Sequence, residues 1–188
     1  MKKFFVVIGI IFIIITIIFI KRANSTKGEY VLPVNLKVTS TAFENDGTIP
    51  IKYTGKGEDI SPPLKLDTIS TDAKTIAITM DDLDHPLGTF NHWVIWNIPA
   101  SFDNIPESVP KEEIVNSLGN AIQGKSAYGG KHWYRGPLPP FGTHKYIFKV
   151  YVLDTTLNLD KDAGKAELLK AMKEHILQYG TLTGKFSG

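Results

Sequence analysis

The chain has 188 residues, no cysteine, 21 basic and 19 acidic side chains and a formal net charge of +2. The lack of cysteine excludes disulfides, thiolate metal sites, a cysteine nucleophile and attachment as a lipid-modified lipoprotein. Lys2, Lys3, Lys21 and Arg22 fall in the first 25 residues, which hold no acidic residue, so the remainder carries 17 basic against 19 acidic groups; with no Lys/Arg stripe, no nucleic-acid partner is expected.

Phe4 to Ile20 is almost wholly apolar and is flanked by the two basic pairs, the pattern of a membrane-targeting segment. Its 17 residues span roughly 25 Å as a helix, short against a hydrocarbon core of about 30 Å. Residues 1–25 therefore read either as a signal peptide, with small residues for cleavage after Ser25, or as a retained anchor. The very short leader places the main domain outside the cytoplasm, membrane-anchored or secreted. Residues 26–31 read as a tether and residues 32–188 as one domain, long enough to bury a substantial core.

Strands are predicted over Leu36 to Thr39, Ile49 to Tyr53, Lys74 to Met80, His92 to Ile98 and Lys145 to Leu153, separated by Gly, Pro, Asn and Asp clusters. A helix is predicted over Lys165 to Tyr179, with Leu168, Met172, Ile176 and Tyr179 on one stripe, Asp162 near its start and Gly180 beyond its end. A short strand over Thr181 to Phe186 follows. The polar stretch from Ser101 to Lys131 carries no reaction signature. The fold is thus mainly β with a late helix that packs on a sheet.

Alternation selects the inward polar residues. Ile76, Ile78 and Met80 share a face that Asp82 continues, so its carboxylate is expected to be partly buried and to need a partner. His92 shares a face with Val94, Trp96 and Ile98 by the same count, and His144 and Tyr146 share one with Phe148, Val150 and Val152. Taken alone, Asp82 reads as a turn cap, each histidine as a satisfied core or turn residue and Tyr146 as packing. Together at strand ends they require mutual partners or a polar ligand. His175 reads as helix packing or compensation of the helix C-terminal charge, and Trp133 and Tyr134 either line a pocket mouth or anchor a loop.

Tyr53-Thr54-Gly55, Glu58 to Leu64, Asp81-Asp82-Leu83-Asp84-His85-Pro86, His92-Trp93-Val94 and Gly136-Pro137 through His144-Lys145-Tyr146 resemble the phosphatidylethanolamine-binding protein family. Asn97-Ile98-Pro99-Ala100, Leu153 to Leu157 and Ala166 to Met172 are similar to its bacterial Raf kinase inhibitor-like branch. The resemblance implies an antiparallel β-sandwich-like fold with a C-terminal helix and a small anion-binding pocket. It places Asp82, His92, His144, Tyr146 and Gly136 as ligand-binding positions, with Asp84, Pro86 and Pro137 at the rim. Leu83, His85 and Lys145 depart from the family pattern, which has proline, a small residue and arginine there.

The expected function is non-catalytic binding of a small anionic or phosphate-bearing ligand, such as a phospholipid head group. His92 and His144 would donate ring N–H bonds, Tyr146 its hydroxyl and the backbone near Gly136 an N–H. Asp82 would orient a histidine or receive an ammonium group, and binding would weaken as pH rises through roughly 6 to 7. No catalytic residue, metal ligand or cofactor is assigned, because no His-Glu-x-x-His, Gly-x-Ser-x-Gly, Walker A or dinucleotide fingerprint occurs. The alternatives are a protein-interaction or inhibitor module and a hydrolytic enzyme.

Overall fold

The apolar runs in the middle of the chain become the centre of a sheet that is covered on both faces. The computed structural model describes residues 32–188; the readings of residues 1–25 as signal or anchor and of 26–31 as tether lie outside the described residues. Among the described residues no helix is long and apolar enough to cross a membrane. The elements are β1 (Lys37–Thr39), β2 (Gly47–Thr48), β3 (Leu64–Asp67), β4 (Thr75–Asp82), β5 (Phe90–Pro99), β6 (Asn104–Ile105), β7 (Ile114–Val115), β8 (Ala121–Gln123), β9 (Thr143–Leu153), α1 (Lys165–Met172) and β10 (Ile176–Ser187).

A three-stranded sheet, β1-β3-β6, packs on a seven-stranded one of order β2-β10-β9-β4-β5-β8-β7. All pairings are antiparallel except β2 with β10, which is parallel. The sandwich core gathers Val38, Leu64 and Leu66 from the small sheet against Ile76, Ile78, Met80, Phe148, Val150 and Val152 from the large one. The opposite face of the large sheet, with Ala77, Val94, Trp96, Tyr151 and Leu153, is covered by Leu168, Leu169 and Met172 of α1. Burial on both sides explains why every residue of β4 is buried and why β4 and β9 read as nearly continuous apolar runs.

Two bulges break the expected alternation of β5. Ile76 and Ile78 pair with Ile98 and Ile95, and Met80 and Asp81 pair with Trp93 and Asn91, so an extra residue is inserted at each place. At the first, Asn97 takes φ +59 and its amide exchanges bonds of 2.9 Å with the backbone of Leu157. Ile98 therefore joins Trp93 and Ile95 in the sandwich core instead of the face of Val94 and Trp96.

Four further expectations are corrected. The predicted helix stops at Met172, and Ile176, Leu177 and Tyr179 belong to β10, which pairs with β9 along its length. Tertiary pairing of this β-branched and aromatic run outweighs its helical stripe. Gly180 is not a helix terminator: a Cβ there would sit 2.3 Å from the Leu36 carbonyl oxygen, so glycine permits the close approach of β1's leading segment. The predicted strand from Ile49 to Tyr53 is instead a 3-10 turn over Ile51–Tyr53, entered through Pro50 at φ −60. His175 lies past the helix, half-exposed, with Nδ1 2.8 Å from Asp154 Oδ1.

Ser101 to Lys131 supplies β6, β7 and β8. Buried Gln123 fastens this segment, accepting the Trp93 indole N–H at 2.7 Å and donating to the carbonyls of Pro110 and Glu112 at 2.8 and 2.7 Å. Because α1 covers its sheet face through fully buried Leu168, Leu168→Ala should lower the unfolding free energy by about 2–5 kcal/mol. Urea denaturation followed by tryptophan fluorescence measures this, with an unchanged m-value expected.

Candidate functional site

Asp82, at the end of β4, and Tyr146, near the start of β9, are direct cross-strand partners. Both face the sandwich core. Asp82 is 3% exposed and Tyr146 fully buried. One Asp82 oxygen, Oδ2, lies 2.7 Å from His144 Nδ1, and the other accepts the Asp84 N–H at 2.9 Å. Asp84 in turn accepts the Lys145 N–H at 2.8 Å. The turn after β4 is thus built around two carboxylates that fix each other's positions through the backbone.

The Tyr146 ring stands between two imidazoles, with ring centres 5.4 Å from His92 and 6.4 Å from His144. Its hydroxyl lies beside the Asp82 carboxylate and the Leu138 backbone but makes no well-formed hydrogen bond and has no accessible surface. Burial, followed by the negative charge of Asp82, holds this phenol well above the ordinary tyrosine range. Tyr146 is therefore a neutral donor at any physiological pH.

His92 reaches the group through the second bulge of β5. Simple alternation would turn it toward Val94 and Trp96, but the inserted residue brings its ring against Phe90, Tyr128 and Tyr146. Its Nδ1 is 2.9 Å from the Arg135 carbonyl oxygen. A carbonyl only accepts, so Nδ1 carries the hydrogen and Nε2 of the neutral ring is an acceptor. Burial pushes the His92 pKa down, partly offset by the Arg135 carbonyl. In this form the neutral ring presents an acceptor, not a donor, at Nε2.

Gly136 lies against the Tyr53–Thr54 backbone. Its N–H is already bonded to Asp59 Oδ1 at 2.6 Å, and a Cβ there would meet the Tyr53 carbonyl oxygen at 2.3 Å and the Thr54 Cα at 2.6 Å. Glycine is required by packing against the Tyr53–Thr54 backbone. Pro137 is buried with its carbonyl bonded to the Gly55 N–H at 2.9 Å, and Pro86 is exposed beyond Asp84. Tyr134 is buried and its hydroxyl donates to the Tyr53 carbonyl at 2.7 Å, so it anchors the loop, while Trp133 lies half-buried beneath Lys131.

Asp59, Phe90, Tyr128 and Arg135 were not singled out by sequence. The Arg135 guanidinium reaches Asp59 Oδ2 at 2.9 Å and sits 5.0 Å over the Tyr128 ring. Phe90 offered one signal, standing two residues before His92 on the same strand. Tyr128 and Arg135 lie in an aperiodic glycine-bearing loop that gave none. A groove of about 610 Å³, lined by residues including Val34, Leu36, Val38, Asn45 and Thr181, lies apart from this cluster along β1 and β10.

The family model for phosphatidylethanolamine-binding proteins matches residues 39–187. The chain belongs to this family. It is 50% identical over 149 residues to a UPF0098 protein of Pyrococcus abyssi (78% of this chain, 83% of the relative). A UPF0098 protein of Pyrococcus horikoshii is 48% identical over 155 residues (81% and 77%). Among crystal structures, a phosphatidylethanolamine-binding protein homolog from Chlamydia trachomatis superposes with TM-score 0.73 at 30% identity (81% of this chain, 97% of that one). E. coli YbcL gives 0.75 at 24% identity (82% and 99%), a likeness of fold.

Within the family pattern, the three departures have local explanations. Leu83 keeps an N–H that proline would lack, and donates it to the Lys145 carbonyl at 2.9 Å, extending the β4–β9 ladder beyond Asp82. The His85 ring stacks on Phe90 with centres 4.6 Å apart. Lys145 is exposed between inward-facing His144 and Tyr146, so its replacement of arginine changes the strand's outer face.

Two outcomes follow. Gly136→Ala should cost about 2–4 kcal/mol in thermal or urea unfolding, because backbone atoms block the new methyl group. The lowered His92 pKa means that the unfolded chain binds this proton first on acidification, so its contribution to stability is present above pH ~6.5 and lost as pH falls toward the folded pKa, by at most about 1.4 kcal/mol per unit. Urea unfolding at pH 7.5 and 5.5 should show a smaller acid loss in His92→Gln than in the wild type.

Proposed function

We propose that Asp82, His144, Tyr146 and His92 form a non-catalytic site for a small anionic, phosphate-bearing ligand, of which a phospholipid head group is one form. The observation that carries this reading is the Tyr146 hydroxyl, a buried donor that lies beside the Asp82 carboxylate without a well-formed hydrogen bond, next to an oriented imidazole. An unpaired buried polar group costs about 1–3 kcal/mol, which an accepting ligand oxygen would recover.

Each residue then has a distinct task. Tyr146 donates its hydroxyl. Asp82 holds His144 by Nδ1, which orients the ring and leaves its Nε2 edge for the anion. Both Asp82 oxygens are engaged, which favours this orienting task over capture of an ammonium group. Neutral His92 forms a wall and offers an acceptor to a protonated ligand oxygen. Gly136, Pro137, Asp84 and Pro86 shape the surrounding turns. Binding without turnover is the activity we assign to this arrangement. Residues 1–25, as signal or anchor, would deliver this site outside the cytoplasm.

Inorganic phosphate titrated into ¹⁵N-labelled protein should shift the His144 ring resonances. Tyr146→Phe should weaken phosphate by roughly 10- to 150-fold, the worth of one hydrogen bond to a charged acceptor, at little cost in stability. If neither imidazole responds to phosphate or to a phosphomonoester, the reading fails.

A further inference from the structure

The bulge that brings His92 to the cluster has a fastening of its own on the opposite face of the sheet. Asn91, 7% exposed, directs Nδ2 toward three acceptors: the Met80 carbonyl at 3.1 Å, the Trp93 carbonyl at 3.1 Å and Asp81 Oδ1 at 3.0 Å. All three lie at the register shift itself, where Met80 pairs with Trp93 and Asp81 with Asn91. Three acceptors around one end of the amide also settle its orientation, since the reversed amide would set oxygen against oxygen three times. The main-chain carbonyl of Asn91 accepts the Ala127 N–H at 3.0 Å, tying in the loop whose Tyr128 packs on His92.

Asp81 supplies the rigid side of this fastening. Its carboxylate is fully buried and engages Lys165 Nζ at 2.7 Å and Lys149 Nζ at 3.4 Å through Oδ2, leaving Oδ1 for Asn91. Without a donor at position 91, two carbonyls and a carboxylate oxygen would lose a buried partner. A regular ladder would then place His92 opposite Asp81 and turn its ring to the face of Val94 and Trp96, since a one-residue slip reverses the side of a strand residue.

We infer that Asn91 is a positioning residue that locks the β5 bulge and so sets the His92 imidazole against Tyr146. The lock stands on geometry alone; its effect on ligand rests on the anion-binding reading above.

Side-chain hydrogen exchange and histidine NMR test it. In the wild type the Asn91 amide protons should exchange at least about 100-fold more slowly than those of exposed Asn120, and His92 should show the pattern of a single Nδ1–H tautomer. In Asn91→Ala the His92 ring signals should lose the ring-current shifts imposed by Phe90 and Tyr146 and move toward tautomer averaging. The Trp93 indole signal, reporting the bond to Gln123, should persist. Asn91→Ser, which retains one donor, should fall between the two. Phosphate binding should weaken roughly ten-fold in Asn91→Ala. Fast exchange of the Asn91 amide in the wild type, or unchanged His92 signals in a folded Asn91→Ala, would overturn the inference. The exchange measurement decides the matter even if the alanine variant does not fold. Displaced His92 signals in a protein whose wild type ignores phosphate would uphold the lock and defeat the anion-binding reading instead.

Discussion

Two consecutive carboxylates end β4, and because side chains alternate along a strand they enter opposite faces of a sheet that has no wet side. A buried carboxylate is tolerable only when charge or hydrogen bonds replace the water it has lost. Asp81 is met on the helical face by Lys149, Lys165 and Asn91; Asp82 is met on the sandwich face by His144 and by the backbone of Asp84. The first arrangement is saturated with donors and acts as framework. The second leaves the far edge of one imidazole and a neighbouring buried phenol without a well-formed hydrogen bond.

Much of this was written in local sequence. Periodicity located β4, β5 and β9 and put Asp82, His144 and Tyr146 on the inner face, because those strands are long and their apolar alternation persists to the strand ends. It misplaced Ile98 and the side from which His92 enters, because a bulge changes parity without changing composition; only Asn97 and Asn91, residues suited to irregular backbone, mark the two sites. The late helix was overextended for a related reason. Ile176 and Tyr179 satisfy a helical stripe and a β-strand equally well, and the vacant edge of β9 that decides between them lies more than 20 residues upstream.

The loop side of the cluster was the least readable part. Asp59 is 77 residues from the Gly136 amide it binds, and no spacing rule links positions so far apart. Gly136 shows how a residue's contacts come from distant parts of the chain. Its lack of a side chain is indispensable, but the backbone that comes close belongs to Tyr53 and Thr54. Family membership locates such positions, whereas their tasks emerge from the contacts.

The partners that define the cluster are remote along the chain: Asp82 and His144 are 62 residues apart, and their meeting requires β4 to register against β9 over its full length. Closing such a loop carries an entropic cost that no local turn offsets, so this pairing belongs to the slow part of chain assembly. A chain in which β4 and β9 have not paired lacks the cluster altogether. Anything that binds the cluster would therefore bind only a chain in which this pairing is complete, and stabilise it by mass action.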